Sequence, residues 1–267
     1  MAVTWTVLGS GSKGNCTVLT TSRTQVLVDA GFSCRETLHR MRLAGLDPDA
    51  TRAILVTHEH SDHVAGLERL ARMLEVPVYL TQGTYEGWRR YMRGQLRTPA
   101  QIPRRETFTA GHALMIGDIR VLPFTIPHDC LDPVGFTFFA EGIKTALVTD
   151  LGCIPANIAD HLRGCDLLMI ESNHDLEMLR VGPYPWPVKQ RVMSRVGHLS
   201  NEALAEFFRQ QYDGAAVYLV LAHLSEQNNH PEIARGAAEQ ALGGSGNLQG
   251  RRLLLASQQE ALDSIRL

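Results

Sequence analysis

The chain has 267 residues, 44% of them hydrophobic and 20% charged, with a formal net charge of −2. This composition is that of an ordinary globular protein and excludes an intrinsically disordered chain. It also excludes a strongly basic protein that coats nucleic acid without specificity. No apolar run approaches the roughly 18 residues that a membrane-spanning helix needs, so we expect no membrane association. The five cysteines are scattered, with no C-x-x-C pair, which favours reduced thiols in a cytoplasmic protein.

The first elements predicted along the chain are strands around a glycine-rich loop. Residues 1–8 are apolar, lack a charged leader and predict a first strand. The loop 9–15, Gly-Ser-Gly-Ser-Lys-Gly-Asn, precedes a hairpin-like pair of strands that ends near residue 31. Glycines let the backbone approach a ligand, and the loop amides with Lys13 suit a phosphate. A simple tight turn explains the same glycines equally well.

Residues 57–63 carry the most information in the chain, because they place four potential metal ligands within six consecutive positions. The sequence is Thr-His-Glu-His-Ser-Asp-His, and the candidate ligands are His58, His60, Asp62 and His63. The apolar run 53–57 predicts a buried strand, and the run 64–74 has helical spacing. Three imidazoles and a carboxylate exceed what one tetrahedral metal needs once other ligands join, which suggests two metals side by side. The alternative interpretation is a solvated polar loop.

This motif resembles the signature of the metallo-β-lactamase superfamily. The superfamily adds a later histidine, an aspartate that bridges both metals and a last histidine, each at the end of a strand. The chain has a candidate for each of these three ligands after an apolar run. Residues 119–126 precede His128, residues 144–149 precede Asp150, and residues 216–222 precede His223. The resemblance implies the following ligand sets: His58, His60 and His128 for the first metal, Asp62, His63 and His223 for the second, and Asp150 between them.

The remaining segments alternate between strands and helices without a linker-like stretch. Further strands are predicted at 76–80, 166–170 and 252–256. Ser200 is a candidate cap for a helix over 201–212, and Pro231 opens a helix that ends near residue 243. We expect a single domain over residues 1–267. The resemblance specifies its fold class as α/β, the metallo-β-lactamase fold, a four-layer αββα sandwich with the metals on one edge.

Several further segments resemble the YycJ/WalJ-like branch of this superfamily, whose members are implicated as 5′–3′ DNA exonucleases. These segments are 9–15, 132–136, 171–175, 197–202 and 223–231. The resemblance covers about residues 4 to 235, with Lys13 as a departure where a small residue is expected. It implies a cytoplasmic hydrolase of phosphodiesters whose partner is DNA with an accessible 5′ end. It also implies two divalent metal ions per chain, zinc or manganese, with iron accepted by the same ligand types.

The catalytic candidates are Asp62 and Asp150, as metal ligands, and His198, which is not needed as a ligand. An imidazole is partly protonated near neutral pH and suits protonation or clamping of a leaving oxygen. His174 competes for that role, and a histidine that only caps the helix at Ser200 is the structural alternative. The candidate substrate-binding residues are Ser10, Ser12, Asn15, Asn173, His174, His198 and Ser200. Cys130, close to His128, could line the site or be an inert thiol.

Two arginine-rich stretches are candidates for contact with a nucleic-acid backbone. The first contains Arg89, Arg90, Arg93 and Arg97, followed by Arg104 and Arg105. The second contains Arg180, Lys189, Arg191 and Arg195 beside Tyr184 and Trp186. Arginines suit phosphates and aromatic side chains suit exposed bases of single strands. A solvated helix face would have the same composition.

Two metals side by side favour hydrolysis but do not determine the substrate. A small-molecule hydrolase of the same fold is therefore the alternative function, for example a thioesterase of the glyoxalase II type or a cyclic phosphodiesterase. A third hypothesis, from another class, is a non-catalytic module that binds nucleic acid or metal. The complete set of candidate ligands argues against that third hypothesis.

Overall fold

The computed structural model describes residues 3–93, 101–243 and 250–267. The chain divides into two compact units. Unit 1 comprises Met1–Thr125, Cys130–Ile143 and Gln258–Leu267, and unit 2 comprises Ile126–Asp129 and Lys144–Ser257. Within the described ranges, no helix is both long and apolar enough to cross a membrane.

Unit 1 contains a seven-stranded sheet that positions the histidine-rich turn. Its strands are β1 (Thr4–Gly9), β2 (Cys16–Thr20), β3 (Gln25–Val28), β4 (Thr51–Leu55), β5 (Val78–Leu80), β6 (Arg105–Thr107) and β14 (Ile265–Arg266), in the order β14-β1-β2-β3-β4-β5-β6. The pairs from β14 to β3 are antiparallel and those from β3 to β6 are parallel. Every residue of β3, which is antiparallel to β2 and parallel to β4, is buried.

Helices of unit 1 bury apolar side chains against this sheet. They are α1 (Cys34–Leu43), α2 (Ser61–Val64), α3 (Leu67–Leu74) and α4 (Gln82–Arg93), with a 3₁₀ turn at Pro48–Ala50. The core includes Leu27 and Ile54 from the sheet, Leu70 from α3 and Trp88 from α4, all fully buried. A further antiparallel meander is formed by β7 (Leu114–Ile116), β8 (Ile119–Thr125) and β9 (Val134–Ala140).

Unit 2 is built on parallel strands whose carboxyl ends lie at one edge. They are β10 (Ile143–Val148), β11 (Leu167–Glu171), β12 (Tyr218–Ala222) and β13 (Arg252–Leu255), in the order β13-β12-β11-β10. The register pairs Val148 with Ile170 and Glu171 with Ala222. The residues that follow β10 and β12 therefore lie beside the end of β11. The helices are α5 (Ala156–Leu162), α6 (Leu176–Val181), α7 (Trp186–Val192), α8 (Asn201–Gln210) and α9 (Pro231–Ala241).

The structure confirms most predicted elements and moves some boundaries. The helix predicted over 64–74 is interrupted between α2 and α3. Gly66 lies at this break, close to the backbone of Phe32, where a Cβ would lie 2.0 Å from the carbonyl oxygen of Phe32. The strand predicted over 53–57 ends at Leu55. The backbone amide of Thr57 donates to the side chain of Asp29 and not to the backbone of a neighbouring strand. The cap of α8 is confirmed: Ser200 Oγ accepts from the amide of Ala203 at 3.1 Å.

Candidate metal centre

In unit 1, the four clustered candidate ligands lie where the chain passes from β4 into α2: His58 and His60 precede the helix, and Asp62 and His63 lie within it. His58 and His63 are fully buried, and His60 and Asp62 are half-buried. The ring centroids of His58 and His63 lie 4.0 Å apart, and those of His58 and His60 lie 4.8 Å apart. The three imidazoles predicted from the motif are therefore adjacent.

A buried carboxylate fixes the orientation of the last histidine of the turn. Asp29 follows β3 with φ of 64°, in the left-handed region that non-glycine residues rarely adopt. Its Oδ2 lies 2.8 Å from Nδ1 of His63, and its Oδ1 accepts from the backbone amide of Thr57 at 2.8 Å. Because a carboxylate only accepts, His63 carries its proton on Nδ1 and its lone pair on Nε2.

The glycine-rich loop packs directly against the ligand turn. The amide of Asn15 donates to the carbonyl of Asp62 at 2.7 Å, and its side-chain Nδ2 lies 3.0 Å from Nε2 of His63. Ser10 Oγ donates to Asn15 Oδ1 at 3.0 Å. A Cβ on Gly31 would lie 1.7 Å from the Asp62 carbonyl oxygen, so the close approach requires glycine. Ser10 and Asn15, predicted as substrate-binding residues, are thus buried supports of the turn, whereas Ser12 is exposed.

In unit 2, four candidate ligands converge at the carboxyl ends of the strands. Asp150, Glu171, His198 and His223 each offer one ligand atom, and these atoms lie within 4.8 Å of one another. Asp150 and His223 have φ values of 60° and 55°. Two left-handed non-glycine residues at the ends of β10 and β12, the strands on either side of β11, are the kind of backbone strain that concentrates at functional sites.

Glu171 is fully buried at the centre of this cluster and orients two imidazoles. Its Oε1 lies 2.7 Å from Nδ1 of His198 and 3.2 Å from Nδ1 of His223. Its Oε2 accepts from the amides of Leu151 and Leu199 at 2.8 and 3.3 Å. Burial alone would raise the pKa of Glu171, but the charge and hydrogen bond of His198, with the bond from His223, lower it. Glu171 therefore remains a carboxylate acceptor.

His128 and His198 lie beside Asp150 in unit 2. His128 donates from Nδ1 to the carbonyl of Gly197 at 3.1 Å, and its Nε2 lies 4.0 Å from Asp150 Oδ1. His198 stacks on His223 with centroids 5.3 Å apart. Burial would lower the pKa of His198, but the adjacent carboxylates of Glu171 and Asp150 raise it. His198 therefore lies within the cluster of candidate ligands, although it was predicted to act on the leaving oxygen without binding a metal.

Three other predicted substrate-binding residues are buried in unit 2. Asn173 donates from Nδ2 to the carbonyl of His223 at 2.8 Å, and Ser200 caps α8. His174 is 1% exposed, and neither ring nitrogen has a hydrogen-bond partner among the described residues. Burial lowers the pKa of His174 to about 4, so its imidazole is neutral at pH 7. Among the predicted substrate-binding residues of unit 2, His198 is half-buried and the other three are buried.

The sequence analysis missed the two orienting carboxylates, Asp29 and Glu171. Both follow apolar strand runs, 26–28 and 167–170, as the candidate ligands Asp150 and His223 do. Metal-binding histidines usually donate their other ring nitrogen to a carboxylate or carbonyl. A carboxylate after an apolar strand is therefore a candidate partner for a ligand histidine.

The donor chemistry of both units fits divalent metal ions. Nδ1 of His63, His128 and His223 faces a carboxylate or carbonyl oxygen, which leaves the lone pair of each ring on Nε2. Neutral imidazoles with one supported nitrogen, together with carboxylates, are ligands that zinc, manganese and iron accept.

The two predicted arginine clusters differ in the exposure of their side chains and in the ion pairs that these form. Arg89, Arg90 and Arg93 are exposed on α4, and Arg97 lies outside the described residues. In the second stretch, Arg180 pairs with Glu177 and Arg191 pairs with Asp129, and Lys189 Nζ donates to the carbonyl of Arg180 at 2.8 Å. Trp186, at the start of α7, is 59% exposed.

Comparison with known proteins identifies the family. The model of the β-lactamase superfamily domain matches residues 24–223, a span that contains every candidate metal ligand. The chain belongs to the β-lactamase superfamily. It is 38% identical over 242 residues to exodeoxyribonuclease YycJ of Bacillus anthracis, covering 91% of this chain and 90% of that protein. It is 35% identical over 230 residues to exodeoxyribonuclease WalJ of Streptococcus pneumoniae serotype 2, covering 86% and 84%. The predicted resemblance to the YycJ/WalJ-like branch is confirmed.

Solved structures give the same fold for this member of the β-lactamase superfamily. The metallo-β-lactamase fold protein YhfI of Bacillus subtilis matches with a TM-score of 0.70 and 16% identity, covering 97% of this chain and 99% of that chain. The predicted fold class, an α/β metallo-β-lactamase fold with two sheets and helices, is confirmed. The family is one of metal-dependent hydrolases, to which this chain's two ligand clusters are suited.

Proposed function

We propose that this protein is a metal-dependent exodeoxyribonuclease that degrades DNA from a 5′ end in the cytoplasm. The observation that carries the proposal is the 38% identity over 242 residues to a protein named exodeoxyribonuclease YycJ. An identity of this level over nine-tenths of both chains supports a shared reaction, whereas a shared fold alone would not.

We further propose that the two units act as one domain and hold two divalent ions. His58, His60 and His128 would hold the first, Asp62, His63 and His223 the second, and Asp150 both. Ions held by these residues would supply a water of lowered pKa and would neutralise charge on the phosphodiester. The chain itself orients two of these imidazoles. Asp29 Oδ2 lies 2.8 Å from Nδ1 of His63, and Glu171 Oε1 lies 3.2 Å from Nδ1 of His223.

His198 is proposed as the residue that serves the leaving oxygen. An alkoxide leaving group needs a proton or a strong donor, and an imidazole is suited to that task near neutral pH. The hydrogen bond between Nδ1 of His198 and Glu171, at 2.7 Å, directs the opposite edge of the ring away from the carboxylate. The side chain is 17% exposed, which leaves part of the ring accessible to substrate.

Two surfaces are proposed to contact DNA. Arg89, Arg90 and Arg93 on α4 would neutralise phosphates. Trp186 would stack on a base, because exposed aromatic side chains provide platforms for single strands. Arg195, also exposed in the same stretch, would contact the backbone. Both surfaces are local, consistent with a net charge of −2 and with an enzyme that engages only a strand end.

The experiment that tests the proposal is digestion of end-labelled oligonucleotides by protein loaded with zinc or manganese. Single- and double-stranded DNA carries its label at the 5′ or the 3′ end, and a matched RNA, a thioester and a cyclic phosphodiester are assayed in parallel. We expect immediate release of the 5′ label as a mononucleotide and a ladder of shortening products from the 3′ label. Hydrolysis of the thioester or cyclic phosphodiester without DNA degradation would support a small-molecule hydrolase instead. No hydrolysis after full metal loading would support a binding module.

A further inference from the structure

A cysteine in unit 1 contacts one of the candidate metal ligands. Cys130 Sγ lies 3.4 Å from Nε2 of His60, within the range of a hydrogen bond to sulfur. Its sulfur also lies within 4.8 Å of ligand atoms of both His58 and His60. Each residue is half-buried or buried, so the contact is part of the folded site and not a surface encounter.

The position of this sulfur is fixed by the segments on both sides of it. The amide of Leu131 donates to Glu59 Oε1 at 2.9 Å. Two neighbouring contacts therefore join the two segments, one between Leu131 and Glu59 and one between Cys130 and His60. The amide of Val134 donates to the carbonyl of Thr57 at 3.0 Å. The Glu59 side chain lies close against α4, since a Cβ on Gly87 would lie 2.4 Å from its Cγ. Cys130 is therefore attached to the same turn that carries His60.

His60 differs from His63, His128 and His223 in which ring nitrogen contacts a neighbouring side chain or carbonyl. His63, His128 and His223 are held at Nδ1 by oxygen atoms, whereas His60 is held at Nε2 by sulfur. A neutral imidazole has one protonated nitrogen and one with a lone pair. When Nε2 donates its proton to sulfur, the lone pair is on Nδ1, which is the arrangement that allows a metal to bind.

We propose that Cys130 is a positioning residue for the metal site: its sulfur accepts from Nε2–H of His60 and directs Nδ1 of His60 to the metal. This inference rests on the proposed metal-binding function of the turn. Cys130 is then not itself a metal ligand. A sulfur acceptor is weaker than the carboxylate and carbonyl partners of the other histidines, so this site depends on a weak partner that thiol chemistry can alter.

The test compares two substitutions that separate hydrogen bonding from packing. Cys130→Ser keeps an acceptor, and Cys130→Val keeps an apolar side chain of similar size without one. Zinc is titrated calorimetrically into metal-free protein. We expect Cys130→Val to weaken one of the two sites by ~10–100-fold, as loss of a histidine's partner does, and Cys130→Ser to restore binding close to that of wild type. Cys34→Ser and Cys34→Val, at a half-buried thiol of α1, are the matched controls and should bind as wild type does.

X-ray absorption at the zinc edge of the wild-type protein provides a second measurement that needs no variant. We expect nitrogen and oxygen neighbours only. A zinc–sulfur distance of about 2.3 Å would overturn the proposal by making Cys130 a ligand, as would wild-type zinc affinity in a folded Cys130→Val. The digestion assay separates the two proposals. DNA degradation with an unaffected Cys130→Val refutes only the positioning role, whereas normal zinc binding without DNA degradation refutes only the nuclease function.

Discussion

The two units supply candidate ligands in different ways. In unit 1, residues 58–63 form one continuous turn, whose ligands are neighbours because the chain passes from β4 into α2. In unit 2, the candidate ligands Asp150 and His223 follow separate strands, β10 and β12, which the parallel register places on either side of β11. The first set depends on local backbone geometry, and the second depends on the correct packing of a whole sheet.

The orienting carboxylates also differ between the units. Asp29 contacts one imidazole, that of His63, at 2.8 Å. Glu171 contacts two imidazoles, at 2.7 Å and 3.2 Å, through the same oxygen. A change in unit 1 should therefore affect one ligand, whereas a change at Glu171 should affect a ligand and the proposed leaving-group donor together.

The largest effect is expected at Asp150, the proposed shared ligand. Asp150→Ala should weaken both metal sites together and remove several kcal/mol of charge stabilisation, on the order of 10⁴-fold in turnover. Turnover of 5′-labelled DNA and the ion content per chain are measured on the same preparation. Asp160→Ala, at an exposed position of α5, is the control. Unchanged ion content in Asp150→Ala would contradict a shared carboxylate.

His198 tests whether unit 2 contributes chemistry in addition to ligands. His198→Ala should retain both metals and reduce turnover of DNA by ~10²–10⁴-fold, the contribution of a positioned acid. Activated aryl phosphodiesters, whose leaving groups need no proton, should lose far less. Loss of a metal from His198→Ala would instead assign His198 to the ligand set, as its place beside Asp150 and Glu171 permits. Equal losses on both substrates would also reject the role.

Glu171→Gln and Asp29→Asn directly compare the two orienting carboxylates. Each keeps the shape of the side chain but replaces an accepting oxygen with a donating NH₂ group. Each should lower metal affinity by ~10–100-fold, as loss of an outer partner does. Glu171→Gln should in addition reduce turnover at saturating metal, because His198 loses the same partner, whereas Asp29→Asn should recover its turnover once the metal is saturating.

Glu202→Gln, at an exposed residue of α8, is the control for Glu171→Gln. Identical recovery of Glu171→Gln and Asp29→Asn at saturating metal would show that the two carboxylates act alike. The comparison between the units would then be wrong.

The smallest effect is expected on the surface of α4. Arg90→Ala with Arg93→Ala should reduce the slope of log affinity for single-stranded DNA against log salt by about 0.7 for each phosphate that is no longer neutralised. Turnover of a small phosphodiester should not change. Arg209→Ala on α8, an exposed arginine paired with Glu206, is the control. A salt slope equal to that of wild type would show that these arginines form only a solvated helix face.

The sequence was most informative where ligands are consecutive or follow apolar strands. His58, His60, Asp62 and His63 could be proposed as ligands from their spacing, and Asp150 and His223 from the family resemblance together with their places after apolar strands. Asp29 and Glu171 were missed because a carboxylate partner has no fixed spacing from its histidine. The burial of Ser10, Asn15, Asn173 and Ser200 could not be predicted, because packing of the loops decides whether such polar residues face a substrate or each other.

The most direct measurement of the central claim is a crystal structure of the zinc-loaded protein with anomalous scattering at the zinc edge. We expect two ions per chain, roughly 3.5–4 Å apart as in other two-metal hydrolytic sites. One should be bound by His58, His60 and His128, the other by Asp62, His63 and His223, and Asp150 should contact both. A single ion, or two ions bound by other residues, would contradict the proposed ligand sets.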